Sequence, residues 1–223
     1  CKISINMLLV ASLATTNLLA EVCEAVGAEW REIAPALRLD PRIGQQAYLQ
    51  PGLGVAGGNL RRDLITIQQL SAEHGIDAGL IEATLAQSEY RRDWMLRELH
   101  QRVLSRCDAP VVALWGLAYK ENTASTKNSP AFALLDRMPG VRVKAYDPGV
   151  AADVAPGPHV ERVQSAMAAC ASADALVVAT PWPEFKGVDL VEIRAALRRP
   201  VLIDPWGMFD QAAASRLGFE YAR

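Results

Sequence analysis

The residues best placed to do chemistry lie in three short stretches. Lys2 and Asn6 are four apart, so on a helix they share one face. Alone, a lysine and an asparagine so placed are ordinary solvated surface. Gly52-Leu53-Gly54-Val55-Ala56-Gly57-Gly58-Asn59 follows Tyr48 and Pro51 and leads into Arg61, Arg62 and Asp63. Its glycines would let backbone N–H groups approach a ligand closely, although the composition also suits a plain surface loop. The run reads G-x-G-x-x-G, but a dinucleotide fingerprint needs an apolar strand before it and a helix opening directly from it. Gln45, Gln46 and Pro51 precede it instead, and that reading is set aside. Asp40-Pro41-Arg42 makes a turn whose guanidinium could grip a hydroxyl or phosphate from several donors, or could simply end a helix.

The elements that must position these groups differ between the two halves. Residues 1–107 read as helical, with one long helix over 2–27 ended by Gly27 and a short one over 29–37. Helical spacing resumes from Asp63 to His74. Asp77 is an N-cap candidate for a helix to about Arg106, with Leu80, Ile81, Leu85, Met95, Leu96, Leu99 and Val103 as its apolar face. Residues 108–223 alternate buried apolar runs with helical stretches. Strands are expected over 111–115, 141–146, 175–179 and 201–204, with an edge strand over 219–221. Helices are expected over 130–138, 161–172 and 188–198, and a surface turn over 155–158. That pattern predicts an α/β chain: a helical domain, then a doubly wound parallel sheet of Rossmann-like type. Ligands of such sheets bind beyond the carboxyl ends of the strands, which points to 116–128, 180–186 and 204–207.

The totals exclude several classes. The 223 residues carry a net charge of −2 with acids and bases interspersed, so no basic stripe exists to neutralise nucleic acid. Cys1, Cys23, Cys107 and Cys170 are scattered, which argues against a zinc site or disulfide framework and fits a reducing cytoplasm. The apolar start of the chain has the look of a signal peptide, but Asn6 interrupts it and the pattern runs on as a helix would. No stretch reads as long enough in apolar residues to span a membrane. The lack of an initiator Met suggests a chain that begins mid-protein.

The ordered motifs resemble the UDP-glucose/GDP-mannose dehydrogenase family along the whole chain. The loop over 51–63 is similar to that family's active-site loop. Lys2, Asn6, Asn17 and Cys23-Glu24 resemble its central helix. Leu39-Asp40-Pro41-Arg42-Ile43-Gly44 and the stretch Gly116-Leu117-Ala118-Tyr119-Lys120 through Ser129-Pro130-Ala131 resemble two further signatures, and Ala145-Tyr146-Asp147-Pro148 continues the match. The resemblance implies an NAD-dependent oxidation of a nucleotide-sugar C6 hydroxyl toward a uronate, in the cytoplasm, by a homodimer joined through the 2–27 helix. It implies that Lys2, Asn6 and Asp63 hold water and a developing oxyanion, a case of electrostatic stabilisation by fixed donors. It assigns Arg42, Tyr48, Gly54, Gly57, Tyr119 and Lys120 to substrate and Lys127 to cofactor. It also implies an NAD-binding domain upstream of Lys2.

The departures are as specific as the match. The family's nucleophilic cysteine is Asn59 here, its loop lysine is Arg62, and its Asp-Gly-Arg-Asn is Asp204-Pro205-Trp206-Gly207. The family's acidic pair is Ala124-Ser125 and its arginine is Lys127. An amide nitrogen cannot form the covalent thioester that the family's cysteine forms. Two readings therefore stand: a dehydrogenase with impaired or altered chemistry, and a non-catalytic dimeric nucleotide-sugar binder.

Overall fold

The long apolar stretch at the start folds as one helix, α1, over Lys2–Val26 in the computed structural model, which describes residues 1–154 and 156–223. The turn expected over 155–158 thus falls partly on Ala155, outside the described residues. Gly27 ends α1 at φ 76°, a left-handed conformation that glycine adopts without a Cβ penalty. The chain divides into two units, Cys1–Arg92 and Asp93–Arg223.

In the first unit, α1 is joined by α2 (Trp30–Leu39), α3 (Asn59–Glu73) and α4 (Gly79–Arg92). Val10 and Leu13 of α1 pack with Val55, Leu64 and Ile81, while Ala20 and Cys23 pack with Trp30 and Ala34. Asp77 does cap α4, accepting the Gly79 N–H at 2.9 Å. Two expectations need correction. The helix expected to continue to Arg106 stops at Arg92, and Leu80, expected on its apolar face, is exposed. Among the described residues α1 is also one helix long and apolar enough, by length and composition, to cross a membrane. Its charges lie only at Lys2, Glu21 and Glu24, so the expectation that no stretch is long enough in apolar residues does not hold for this helix. Ile5, Leu8, Leu18, Val22 and Val26 leave an apolar face of α1 exposed.

The second unit opens with α5 (Trp94–Leu99), which runs into a π-helical turn over His100–Leu104. A sheet follows, built from β1 (Val111–Trp115), β2 (Arg142–Tyr146), β3 (Val160–Arg162), β4 (Ala175–Val178), β5 (Val201–Ile203) and β6 (Glu220–Ala222). Its order is β3-β2-β1-β4-β5-β6, with every pair parallel. The helices α6 (Pro130–Asp136), α7 (Ala166–Cys170), α8 (Leu190–Ala196) and α9 (Gln211–Arg216) connect the strands. Ser129, Ser165, Asp189 and Asp210 cap them through side-chain oxygens. The helix expected over 161–172 is a correction: its first residues form β3, and the helix begins only after Ser165. All residues of β1 and β4 are buried, as parallel strands covered on both faces require. Trp115 sits among Phe185 and Phe209, with ring centroids 4.9 and 6.4 Å away. Its indole N–H donates to the Ala166 carbonyl at 2.8 Å, so this large side chain is buried with its one polar group satisfied.

Candidate active site

The Gly-rich loop of the first unit is held from both sides by side chains far away in sequence. Asn17 of α1 accepts the Gly52 N–H at 2.8 Å. Ser88 of α4 accepts the Val55 N–H at 2.7 Å, Arg91 Nε donates to the Gly52 carbonyl at 3.1 Å, and Arg92 donates to the Val55 carbonyl at 3.0 Å. Ser88, Arg91 and Arg92 sit at i, i+3 and i+4, so one face of α4 grips the loop. Gly54, at φ +79°, lies so close to α4 that an added Cβ would meet the Ser88 carbonyl oxygen at 2.4 Å. Upstream, Ser12 and Thr16 donate to the Tyr48 carbonyl, and the Trp30 indole donates to the Leu49 carbonyl. The Tyr48 ring itself is half exposed.

The loop ends in the first turn of α3. This start at Asn59 is four residues earlier than the helical spacing suggested, and it makes Asn59 and Asp63 neighbours on one helix face. Asn59 is exposed and Asp63 is buried. Asn6 donates to Asp63 Oδ2 at 2.6 Å, while Arg62 donates to Oδ1 from Nε at 3.2 Å and from Nη2 at 3.1 Å. Asp63 is held below the usual carboxylate range, chiefly by the Asn6 hydrogen bond and further by Arg62 and by the charge of Lys2. The structure therefore brings Lys2, Asn6, Arg62 and Asp63 into one electrostatic group beside Asn59.

The depressed titration of Asp63 has a definite consequence. Its favourable contribution is complete above the unfolded carboxylate value and is lost as pH falls through the lower folded value. Asp63→Asn should thus melt below the wild type by a constant margin from about pH 7 to about pH 5, and the margin should shrink below about pH 4. Thermal midpoints across that range decide it; a margin independent of pH down to acid unfolding would overturn the assignment.

Other predicted residues lie elsewhere. The Arg42 side chain is 88% exposed and is bound by its own Asp40, from Nη2 to Oδ2 at 2.6 Å. Gly57 has φ 77°. In the second unit, Tyr119 and Lys120 follow β1, with the Lys120 ammonium 5.7 Å from the centre of the Tyr119 ring. Lys127 is exposed. The strand order is that of dinucleotide-binding sheets, yet the acid that follows β2 is already occupied. Asp147, where a ribose-binding acid would stand, has both oxygens taken by backbone and indole N–H groups. Cys23 is buried toward the far end of α1, and burial pushes the Cys170 thiol up to about 12.

Comparison with known proteins agrees with both units. Residues 1–89 match the central domain of the UDP-glucose/GDP-mannose dehydrogenase family, and residues 113–211 match its UDP binding domain. The chain belongs to that family. It is 30% identical over 224 residues to the UDP-glucose 6-dehydrogenase TuaD of Bacillus subtilis, covering 99% of this chain and 48% of that protein. It is 30% identical to the UDP-glucose 6-dehydrogenase of Pseudomonas aeruginosa, covering 99% and 50%. The solved UDP-D-ManNAc dehydrogenase of Pyrococcus horikoshii superposes with a TM-score of 0.81 at 26% identity, over 99% of this chain and 50% of that one. The chain thus spans about half the length of the curated relatives it matches.

The residues that sequence reasoning left without a role are Ser88, Arg91, Arg92 and Asp147. A signal existed for the arginines. Two adjacent cations at the end of a helix, three and four residues after a serine, suit a face that binds backbone carbonyls.

Proposed function

We propose that this chain is the substrate-binding part of a nucleotide-sugar dehydrogenase whose chemistry is altered at Asn59. The group Lys2–Asn6–Asp63 carries the reading. Its geometry suits a cation and an amide donor held toward an oxygen that gains negative charge. Oxidation of an alcohol to an aldehyde needs no thiol, so these residues could support it, whereas the second oxidation, to the acid, relies on a covalent adduct that Asn59 cannot form. Arg42, Tyr48, Gly54 and Gly57 would meet the sugar, and Tyr119 and Lys120 the phosphates. The exposed apolar face of α1 supports a homodimer joined there, because apolar patches of this kind mark association surfaces. The family resemblance makes NAD the hydride acceptor, with the exposed Lys127 as the residue of this chain that would meet it.

A second reading, a binding homologue without turnover, is favoured by one observation. Where the family carries a ligand-contacting arginine, Trp206 donates its indole N–H to the Val178 carbonyl at 3.1 Å and faces its own sheet. The deciding experiment incubates the native polypeptide from its source with UDP-glucose and NAD in a cytoplasm-like buffer. The dehydrogenase reading expects NADH together with a UDP-sugar aldehyde and little uronate. Binding of UDP-glucose without any NADH would establish the second reading instead.

A further inference from the structure

The acid that follows β2 holds the loop that leaves β1. In a sheet of this order, β1 lies between β2 and β4, and the crevice beyond their carboxyl ends is where ligands enter. Asp147 stands just past β2 and is 5% exposed. Its Oδ2 accepts from Leu117 N–H at 2.6 Å, Ala118 N–H at 2.9 Å and the Trp182 indole at 3.1 Å. Its Oδ1 accepts from Gly149 N–H at 2.7 Å and Val150 N–H at 2.8 Å. A carboxylate offers about four lone-pair sites, so five donors saturate it. From β4, Thr180 Oγ1 crosses the crevice to the Ala118 carbonyl at 2.6 Å. Tyr119 N–H then goes to the Ser125 carbonyl at 2.9 Å. The main chain from Leu117 to Tyr119 is therefore fixed by both N–H and C=O groups, and the next residue is the exposed Lys120.

We propose that Asp147 is a positioning residue for nucleotide binding: with Thr180 it fixes the root of Lys120, so that the ammonium is presented to a phosphate. The phosphate belongs to the nucleotide-sugar reading above, and the inference rests on that reading for its ligand. The physical reason is that lysine is a point charge on a flexible stem, whose aim depends on how firmly its backbone is held. Charge-assisted bonds from a buried carboxylate are the strong kind that can hold it. Asparagine cannot substitute, because its NH2 would face N–H donors on one side.

The test uses the whole 223-residue chain and UDP as the probe, by calorimetry. Lys120→Ala and Asp147→Asn should each weaken UDP binding by about tenfold, and the double variant should be no weaker than Lys120→Ala alone, because residues acting as one unit are not additive. Thr180→Val removes a single hydroxyl and should show the same non-additivity, which keeps the test open if Asp147→Asn does not fold. Without UDP, exchange of the Leu117 and Ala118 amides should be faster in Asp147→Asn by about a hundredfold, the loss of protection expected when those bonds break. Additive effects on UDP binding, or unchanged exchange at both amides, overturn the proposal. If Lys120→Ala binds UDP like the wild type while exchange still responds, the failure lies in the nucleotide role of Lys120, and the purpose given to Asp147 falls with it.

Discussion

Gly116→Ala is expected to destabilise the second unit by about 3–5 kcal/mol, lowering its melting point by about 10–20 °C. Gly116 ends β1 at φ +92°, a backbone conformation that costs any residue with a Cβ. The space is also filled: an added Cβ would lie 2.4 Å from Thr180 Cβ and 2.6 Å from Thr180 N. Relief would have to come from moving β4 against β1, which are paired from Val112↔Ala175 to Trp115↔Val178. Both strands are buried, and close-packed interiors do not yield without cost. Gly140→Ala is the matched control, because nothing lies within 4 Å of its Cβ position. Calorimetric melting of both variants decides the point. A Gly116→Ala protein melting within about 3 °C of the Gly140→Ala control would show that the crevice between β1 and β4 is loose rather than filled.

Much of the second unit was legible because its elements carry local signals. Val111–Trp115 and Ala175–Val178 are apolar runs of strand length, and Ser129-Pro130 is a cap followed by a proline that fits the first turn. β3 was not legible: three residues on an outer strand, only partly buried, with Glu161 and Arg162 in it, look like the polar start of a helix. The break after Arg92 was hidden for a related reason, since Trp94 and Met95 continue the apolar spacing of the preceding helix. In the first unit the loop could be read, and Asn6 and Asp63, which the resemblance groups together, are hydrogen-bonded at 2.6 Å. What holds the loop could not be read. Arg91 is almost fully buried, and its Nε donates to a carbonyl 39 residues away. A buried cation on a backbone carbonyl has no local pattern, because only the tertiary fold brings the acceptor to it. Asp147 is a similar case, as its five donors come from three separated segments.

Asn59→Cys is expected to raise the rate of uronate formation by the native polypeptide about 10⁴-fold or more, the scale of loss when a nucleophile is removed from a concerted set. Position 59 opens α3, a helix of 15 residues whose N-cap, Gly58, contributes no side-chain bond. A thiol there would sit at the positive end of the helix and near Arg62, both of which favour the thiolate. Asp63 would lie on the same helix face, with Asn6 already bound to it at 2.6 Å. The introduced sulfur should therefore be alkylated with an apparent pKa below the ordinary thiol value of about 8.5. Cys1, which is exposed, and Cys107, which is partly exposed, are replaced by serine in this measurement so that the introduced thiol is the one followed. A gain in uronate together with the lowered thiol titration means that residue 59 alone separates this chain from complete oxidation. If UDP-glucose binds and the thiol titrates low but no uronate forms, the defect extends to the other departures, with Trp206 in the place of an arginine as the first to restore. If UDP-glucose does not bind at all, the dehydrogenase reading of the Lys2–Asn6–Asp63 group is lost, whatever the thiol does.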